Sequence, residues 1–443
     1  MKVLTKGNPL KLILLFAIPL AIGQLFQLTY SLVDTRIVGE ILGEGALAAV
    51  GATSTLSDLL INLMMGITNG FAIIAATCFG AGDERLLKKT IAASFALTIG
   101  IVLFLTLFFI LFLGPVLGVL NVPADIYEDA DSYIRIIILG LICTALYNAC
   151  AGILRAIGDT VTPLIFLILS SFLNVGLDYG FILGLGMGVS GAALATVFSQ
   201  GLSAAICFAY MWIKYPLLRF SREHLEFERE HILKLLKTGL SMGFMNAFVS
   251  FGTVSLQTAI NVLGRDIIVA HTAARKITTI FMLPFSVFGQ ALATYCGQNM
   301  GAGEYARIKR GIVQTTLFTW CWCLLVMLMA NFAAPLFIRL ITATDNPVVI
   351  ENAWLYLRVD TAFYFVPTVI TLVRNSLQGI GDSLTPVISS SIEFFGKLLI
   401  AIFLAPILGY MGIIVAEPIV WILMVIPLIM QFFKNPVLIG KKA

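Results

Sequence analysis

Apolar residues fill twelve stretches of the chain, and each stretch is about as long as a helix that crosses a membrane. A helix needs about 20 residues to cross a hydrocarbon core of about 30 Å. The stretches are continuously apolar rather than alternating, which argues against a membrane β-barrel. The pattern predicts an all-α polytopic membrane protein with twelve transmembrane helices, near residues 10–35, 46–79, 90–120, 132–155, 162–184, 188–213, 235–263, 267–300, 310–341, 350–376, 386–407 and 410–433.

The sequence repeats itself across its two halves. The segment LRAIGDTVTP at 154–163 recurs as LQGIGDSLTP at 377–386, and GAGD at 80–83 recurs as GAGE at 301–304. Because each half holds six predicted spans, the halves share one topology, as expected for a parallel repeat about an axis along the membrane normal. We therefore predict two six-helix bundles related by a pseudo-two-fold axis: lobes at 1–213 and 232–443, joined by a cytoplasmic linker at 214–231.

Composition narrows the class of protein further. Hydrophobic residues make up 59% of the chain and charged residues only 12%, and the net charge of +4 is too small for a nucleic-acid binder. Basic residues crowd the loops on one side, which predicts cytoplasmic termini in a plasma membrane. The sequence has no phosphate-binding loop, zinc-protease motif or nucleophile elbow, so we predict no enzyme, no catalytic residue, no cofactor and no ATP-driven pump.

With six spans per half, GAG[DE] after the second span and the GDxxTP turn after the fourth, the chain resembles the multidrug and toxic compound extrusion (MATE) family. The segment LNVGLDY at 173–179 further resembles the DinF-like branch. The resemblance implies a V-shaped, alternating-access antiporter that exports organic cations or drugs in exchange for inward H⁺ or Na⁺ and so confers drug resistance. Its expected partners are the lipid bilayer and small organic cations, and a monomer is expected. The alternative is a lipid-linked oligosaccharide flippase of the same superfamily.

The first half carries acidic side chains inside predicted spans, where an ionised group is costly and usually functional. Tyr30 and Asp34 are four residues apart, as are Asn174 and Asp178, so each pair lies on one helix face. Together with Thr196 they offer only oxygen and amide ligands, which suit a proton or an alkali cation such as Na⁺ at Asp34, Asn174 and Asp178. The resemblance implies that these five form the ion-coupling site. The alternative is that the acids only cap or pair within their own lobe.

Pro19 lies near the middle of the first predicted span. There a proline removes one main-chain hydrogen bond and permits a kink. The resemblance implies that this helix bends when the nearby acid is protonated. Many membrane helices carry prolines without switching, so a passive proline is the alternative.

The second half does not repeat the acidic set. Lys397 occupies the position equivalent to Asn174, and Glu393 precedes it by four residues in the favourable order for a helical ion pair. Such a pair can simply hold the lobe together. Glu417 and Asp360 have no partner evident from the sequence, so Glu393, Lys397, Glu417 and Asp360 form a candidate polar site. Arg275 either faces water or pairs with these acids.

Methionine and aromatic residues are candidates for the substrate cavity. Met64 and Met65 lie on the second span, and Met282 and Phe285 on the eighth. These side chains adapt to varied cargo, and aromatic rings attract organic cations. In a chain with 32 Phe and 14 Met, ordinary packing is the alternative.

Overall fold

The computed structural model describes residues 3–120, 122–226, 228–342 and 344–439. The predicted lobes therefore each include a few residues outside this part of the chain, and the predicted linker includes one, residue 227. Throughout the described residues the secondary structure is helical, without a β-strand. Large apolar side chains on the outside, such as Phe104, Leu107 and Leu111 of one helix, are more than half exposed, as expected of a surface that faces lipid.

The first half of the chain forms seven helices and a short π-helical segment, Tyr179–Gly184. The helices are α1 (Pro9–Ala81), α2 (Glu84–Leu111), α3 (Leu113–Val119), α4 (Tyr127–Leu139), α5 (Leu141–Ala156), α6 (Val161–Asp178) and α7 (Gly188–Lys214).

The second half repeats this order, including a π-helical segment, Ile400–Leu404, at the equivalent place. Its helices are α8 (Arg229–Asn261), α9 (Arg265–Gly301), α10 (Tyr305–Phe332), α11 (Ala334–Thr342), α12 (Pro347–Ala362), α13 (Phe365–Gly379), α14 (Leu384–Leu399), α15 (Ala405–Leu408), α16 (Tyr410–Ile414) and α17 (Ala416–Lys434). The internal repeat of the sequence is thus a repeat of structure.

A break at Gly43 accounts for the unusual length of α1. The helix has 73 residues, but Gly43 has φ 84° and ψ −176°, a conformation that glycine adopts at little cost. Before and after this break each part is long enough to cross a bilayer. Nine described helices are long and apolar enough to cross, and two bent pairs, α4 with α5 (41°) and α12 with α13 (55°), add two crossings. Counting α1 twice gives the predicted twelve.

The chain folds into two compact units, each packed mainly on itself. The first unit contains Ile18–Gly243, and the second combines Leu4–Ala17 with the chain from Phe244 onward. The start of α1 therefore belongs to the second unit, and the start of α8 belongs to the first. The lobe boundaries at 213 and 232 remain a prediction, since the units differ from the lobes in the assignment of these two helix starts.

The connection between the halves is short and packs on the first unit. It contains two 3₁₀ turns, Pro216–Leu218 and Arg222–Leu225, the second with a reciprocal cap between Ser221 and His224. The Phe220 ring packs against Phe95 of α2 with ring centroids 6.0 Å apart, and Lys89 Nζ lies 3.1 Å from Glu228 Oε1. The predicted linker is thus held against the start of α2.

Candidate functional site

Close packing between α1 and α6 builds the polar cluster of the first unit. Gly23 of α1 faces Leu164 and Leu167 of α6, and a Cβ placed on it would lie in ordinary contact with them, at 3.5 and 3.6 Å. One turn further on, the rings of Phe26 and Phe172 lie 6.0 Å apart. This apolar contact brings the next turn of α1, which carries Tyr30 and Asp34, opposite the polar face of α6.

Asn174 lies at the centre of this cluster, where it contacts other polar side chains. Tyr30 Oη lies 2.6 Å from the Asn174 side chain, and Thr196 of α7 approaches it from the other side. In one amide orientation, Tyr30 donates to Oδ1 and Nδ2 donates to Thr196 Oγ1 at 3.3 Å. In the other, Nδ2 donates to Asp178 Oδ2 at 3.0 Å and Oδ1 accepts from the Thr196 main-chain N–H at 3.1 Å. In this second orientation Nδ2 also donates to Tyr30 Oη at 2.6 Å, so the amide makes three hydrogen bonds.

The carboxyl groups of Asp34 and Asp178 meet beside this amide, within hydrogen-bonding distance of each other. Asp178 is fully buried, and its Oδ1 finds no hydrogen-bond partner among the described residues. Two carboxylates in contact, one of them fully buried, repel each other and cannot both stay charged without compensation. They must share a proton or hold a cation between them. The structure therefore brings Tyr30, Asp34, Asn174, Asp178 and Thr196 into one cluster.

The ligand chemistry of the cluster fits a hard monovalent ion. Its groups are two carboxylates, an amide and two hydroxyls, which suit an alkali cation or a proton rather than a soft transition metal. The described residues contain no group of three or more His, Cys, Asp or Glu side chains arranged to hold a metal. Na⁺ at Asp34, Asn174 and Asp178 remains a prediction.

Tyr133 belongs to the same surroundings, although sequence reasoning missed it. It lies on α4, within electrostatic range of Asp34, Asp178 and the exposed Asp58. Nothing in the sequence marks this tyrosine, because its approach depends on where α4 crosses α1.

The second unit contains a ladder of alternating charges where the first has its acidic cluster. Lys397 Nζ lies 2.9 Å from Glu393 Oε1 and 3.1 Å from Glu417 Oε1. The ladder extends on one side to Arg275, whose Nη1 lies 3.3 Å from Glu417 Oε1. On the other side, Arg374 Nη1 lies 3.8 Å from Glu393 Oε2. We call these five residues the charge ladder.

The charge ladder settles two points that the sequence left open. Glu417 has two cationic partners, Arg275 and Lys397, neither of which was evident from the sequence, and Arg275 pairs with an acid. The reason is that the partners come from α9 and α14, distant in sequence. The predicted ion pair between Glu393 and Lys397 is present. Each buried acid of the ladder is therefore neutralised by protein cations.

Asp360 lies near the charge ladder but is not directly linked to it. It is 1% exposed, and neither carboxylate oxygen has a hydrogen-bond partner among the described residues. Tyr364 lies beside it, at the bend between α12 and α13, with its hydroxyl also unpartnered in that part of the chain. The four predicted second-half residues thus share one region, in which Glu393, Lys397 and Glu417 are directly linked.

The candidate cavity residues fall into two kinds. Met64 and Phe285 are buried, Met64 in the apolar core of the first unit and Phe285 against the ring of Tyr364 at 5.6 Å. Met65 and Met282 are partly exposed. Packing explains the first two within their own units, and a cavity role for the four remains a prediction.

Pro19 lies inside the first part of α1, two residues after the point where α1 changes unit. The helix continues through it, because Gly43 is the only described position of α1 with non-helical dihedral angles. Bending at Pro19 therefore remains a prediction.

The repeated halves, the apolar helices and the buried polar clusters define a polytopic helical membrane protein of the transporter type. The MatE family model matches residues 19–180 and 241–407, well over half of the chain. The chain therefore belongs to the MatE family, and the resemblance to MATE transporters is confirmed. The family places it among multi-pass membrane transporters with small-molecule substrates. Its assignment to the DinF-like branch remains a prediction.

Curated relatives cover most of the chain. The probable multidrug resistance protein YpnP of Bacillus subtilis is 29% identical over 304 residues, 69% of this chain and 68% of that protein. The probable multidrug resistance protein NorM of Thermotoga maritima is 24% identical, over 86% of this chain and 82% of its own. An FAD transporter of Shewanella oneidensis is 23% identical, over 94% of this chain and 92% of its own.

Solved structures show the same fold. A crystal structure of MATE in the bent conformation has a TM-score of 0.90 at 23% identity, covering 99% of this chain and 98% of that one. A crystal structure of MATE in the straight conformation has a TM-score of 0.89 at the same identity and coverage. The predicted all-α, twelve-helix fold is confirmed.

Proposed function

We propose that the protein is a secondary antiporter that exports organic cations or drugs across the plasma membrane. Inward movement of H⁺ or Na⁺ drives the export by alternating access, and both termini are cytoplasmic. The contact between Asp34 and Asp178 carries this proposal. A pair of carboxylates in contact, one of them fully buried, can serve as a coupling site, because binding and release of a proton or cation change its charge.

The names of the relatives support efflux of drugs. YpnP and NorM are named multidrug resistance proteins, although the Shewanella relative is named as an FAD transporter. The acidic cluster of the first unit favours positively charged cargo. One inward charge that falls through about 150 mV supplies about 3.5 kcal/mol, enough for a cargo gradient of about 300-fold. One coupled ion is sufficient.

The charge ladder argues against the flippase alternative. Pyrophosphate-bearing cargo needs arginine and lysine side chains that are free to bind phosphate. Arg275 and Lys397 are instead engaged by Glu417. The buried cations of the second unit therefore have a structural role in this proposal.

Dye efflux from proteoliposomes tests the proposed function. We expect ethidium efflux to respond to an imposed sodium gradient or an imposed pH gradient, and to fall at least tenfold in Asp34→Asn and Asp178→Asn. Asp129→Asn is the matched control, since Asp129 is an exposed acid of the same unit. Normal efflux in both cluster variants would contradict the proposed ion site. Efflux that responds to neither gradient would favour the flippase alternative.

A further inference from the structure

The segment before α1 is bound by side chains of the second unit. The Leu4 main-chain N–H donates to Gln298 Oε1 at 2.8 Å, and its carbonyl accepts from Asn299 Nδ2 and Arg307 Nη2, each at 3.3 Å. Arg307 Nη1 also donates to the Gly7 carbonyl at 2.9 Å. Both main-chain groups of one residue are thus recognised by side chains about 300 positions away.

The binding side chains are themselves held in place. Arg307 Nε donates to Asn299 Oδ1 at 3.0 Å, and Tyr295 Oη donates to the Arg307 carbonyl at 3.0 Å. Gln298 and Asn299 are fully buried, and Leu4 is 1% exposed. Gly7 has φ +104°, which favours glycine where the segment turns toward α1. These features describe a preorganised site for the short turn that precedes α1.

The other half has a counterpart at the equivalent place. The residues that lead into α8 contact the start of α2, where Lys89 Nζ lies 3.1 Å from Glu228 Oε1 and Thr90 Oγ1 lies 3.0 Å from His231 Nε2. Gly7 and Glu228 are equivalent positions of the repeat. The counterpart relies on an exposed ion pair, which contributes little, whereas the Leu4 site is buried and uses main-chain groups.

We infer that Gln298, Asn299 and Arg307 form an anchoring site for Leu4–Gly7, which stays closed during turnover and fixes the start of α1. The inference rests on the proposed antiport function. Release would remove the main-chain partner of fully buried amides, which is unfavourable. The helix α1 passes from the second unit to the first between Ala17 and Ile18. If its start is anchored, any bending of α1 during transport has to occur after the anchor, in the part of the helix that contains Pro19. Arg307 is then a positioning residue for Tyr30 and Asp34.

Hydrogen exchange tests whether the anchor exists independently of transport. We expect Arg307→Ala to speed amide exchange at Leu4 by about tenfold, which corresponds to about 1.4 kcal/mol. Arg310→Ala, an exposed arginine one turn further along α10, should leave it unchanged. Arg307→Lys should restore part of the protection. Unchanged exchange in Arg307→Ala would overturn the anchoring site.

Transport kinetics then test its role. We expect Arg307→Ala to lower the turnover of ethidium export per folded molecule several-fold with little change in KM, and Arg310→Ala to change neither. Equal turnover in Arg307→Ala and Arg310→Ala would show that the anchoring site only contributes packing, and would overturn the positioning role of Arg307. If the wild-type protein itself shows no ion-driven export, the proposed function fails, whereas the exchange result still stands.

A cross-link tests whether the anchor stays closed. We would use Lys6→Cys and Arg310→Cys, in a chain whose seven cysteines are replaced, with bifunctional maleimides, since these positions flank the hydrogen bond between Gly7 and Arg307. We expect the cross-linked protein to export at the rate of the unlinked double variant. Loss of export on cross-linking would show a latch that must open, which contradicts the inference.

Discussion

The polar clusters of the two units occupy equivalent places in a repeated fold, yet they solve the problem of buried charge differently. In the first unit, Asn174 and Asp178 lie four residues apart on one face of α6, and Asp178 contacts Asp34, another acid. In the second, Lys397 replaces the asparagine and the neighbouring acids, Glu393 and Glu417, are both paired with it. Two acids in contact need a proton or another cation between them, whereas the acids of the charge ladder are already paired with protein cations. In the proposed function, coupling therefore belongs to the acidic cluster of the first unit and structural support to the charge ladder of the second.

Placing a lysine in the first unit, at the position equivalent to Lys397, should have the largest effect on transport. In Asn174→Lys, an ammonium group would stand four residues before Asp178 and neutralise it from within. We expect ion-driven export to be lost while the protein still folds, since the internal cation replaces the external one. Efflux in proteoliposomes measures the loss, and gel filtration of the purified variant checks the fold. Ion-driven export at the wild-type rate would show that the cluster does not need an external ion.

Removing the cation of the charge ladder should destabilise the protein instead. Lys397→Met leaves Glu393 without its closest partner and Glu417 with Arg275 alone. Breaking a buried ion pair typically costs about 3–5 kcal/mol. We expect a clear fall in thermal stability in detergent.

Two controls sharpen this result. Arg36→Ala breaks an exposed ion pair with Glu40 and should cost no more than about 1 kcal/mol. Adding Glu393→Gln to Lys397→Met should recover part of the loss, because it removes a stranded charge. Equal stability of Lys397→Met and the wild type would contradict the structural role of the charge ladder.

The smallest effect on stability is expected at the GDxxTP turns, which are alike in the two halves. Asp159 accepts from Thr162 N at 3.0 Å and from Tyr215 Oη at 2.6 Å, and Asp382 accepts from Thr385 N at 3.1 Å and from Gln431 Nε2 at 2.8 Å. In each half, the aspartate of the GDxxTP turn ties the fifth span to the end of the sixth. Asp159→Ala and Asp382→Ala should each cost about 0.5–2 kcal/mol, as capping residues do.

The first of these turns also predicts a pH dependence. Burial acts to raise the pKa of Asp159, but the hydrogen bonds from Thr162 and Tyr215 more than offset it, so its pKa lies below the usual range. A carboxyl with a lowered pKa in the folded state stabilises the protein above its unfolded pKa of about 3.9 and loses this contribution as pH falls through the folded value. Stability of Tyr215→Phe should therefore depend less on acid pH than that of the wild type. An identical acid dependence would contradict the assignment.

Some of this architecture could be predicted from the sequence and some could not. The twelve spans and the repeat follow from apolar runs and repeated motifs, because both are local properties. Asp34 and Asp178 stand out because charge is rare within a span. The pairing of Arg275 with Glu417 joins residues 142 positions apart, so no local pattern reports it. The same holds for Tyr133 and for the anchoring of Leu4, which depend on how helices cross.

Counting the ions that leave the protein when cargo binds tests the shared carboxylate pair most directly. Ethidium is added to purified protein in weakly buffered detergent, and released H⁺ and Na⁺ are measured together with a pH indicator and a sodium electrode. We predict release of one monovalent cation per wild-type molecule and of none from Asp34→Asn or Asp178→Asn. Full release from either variant would show that the two aspartates do not hold that ion jointly.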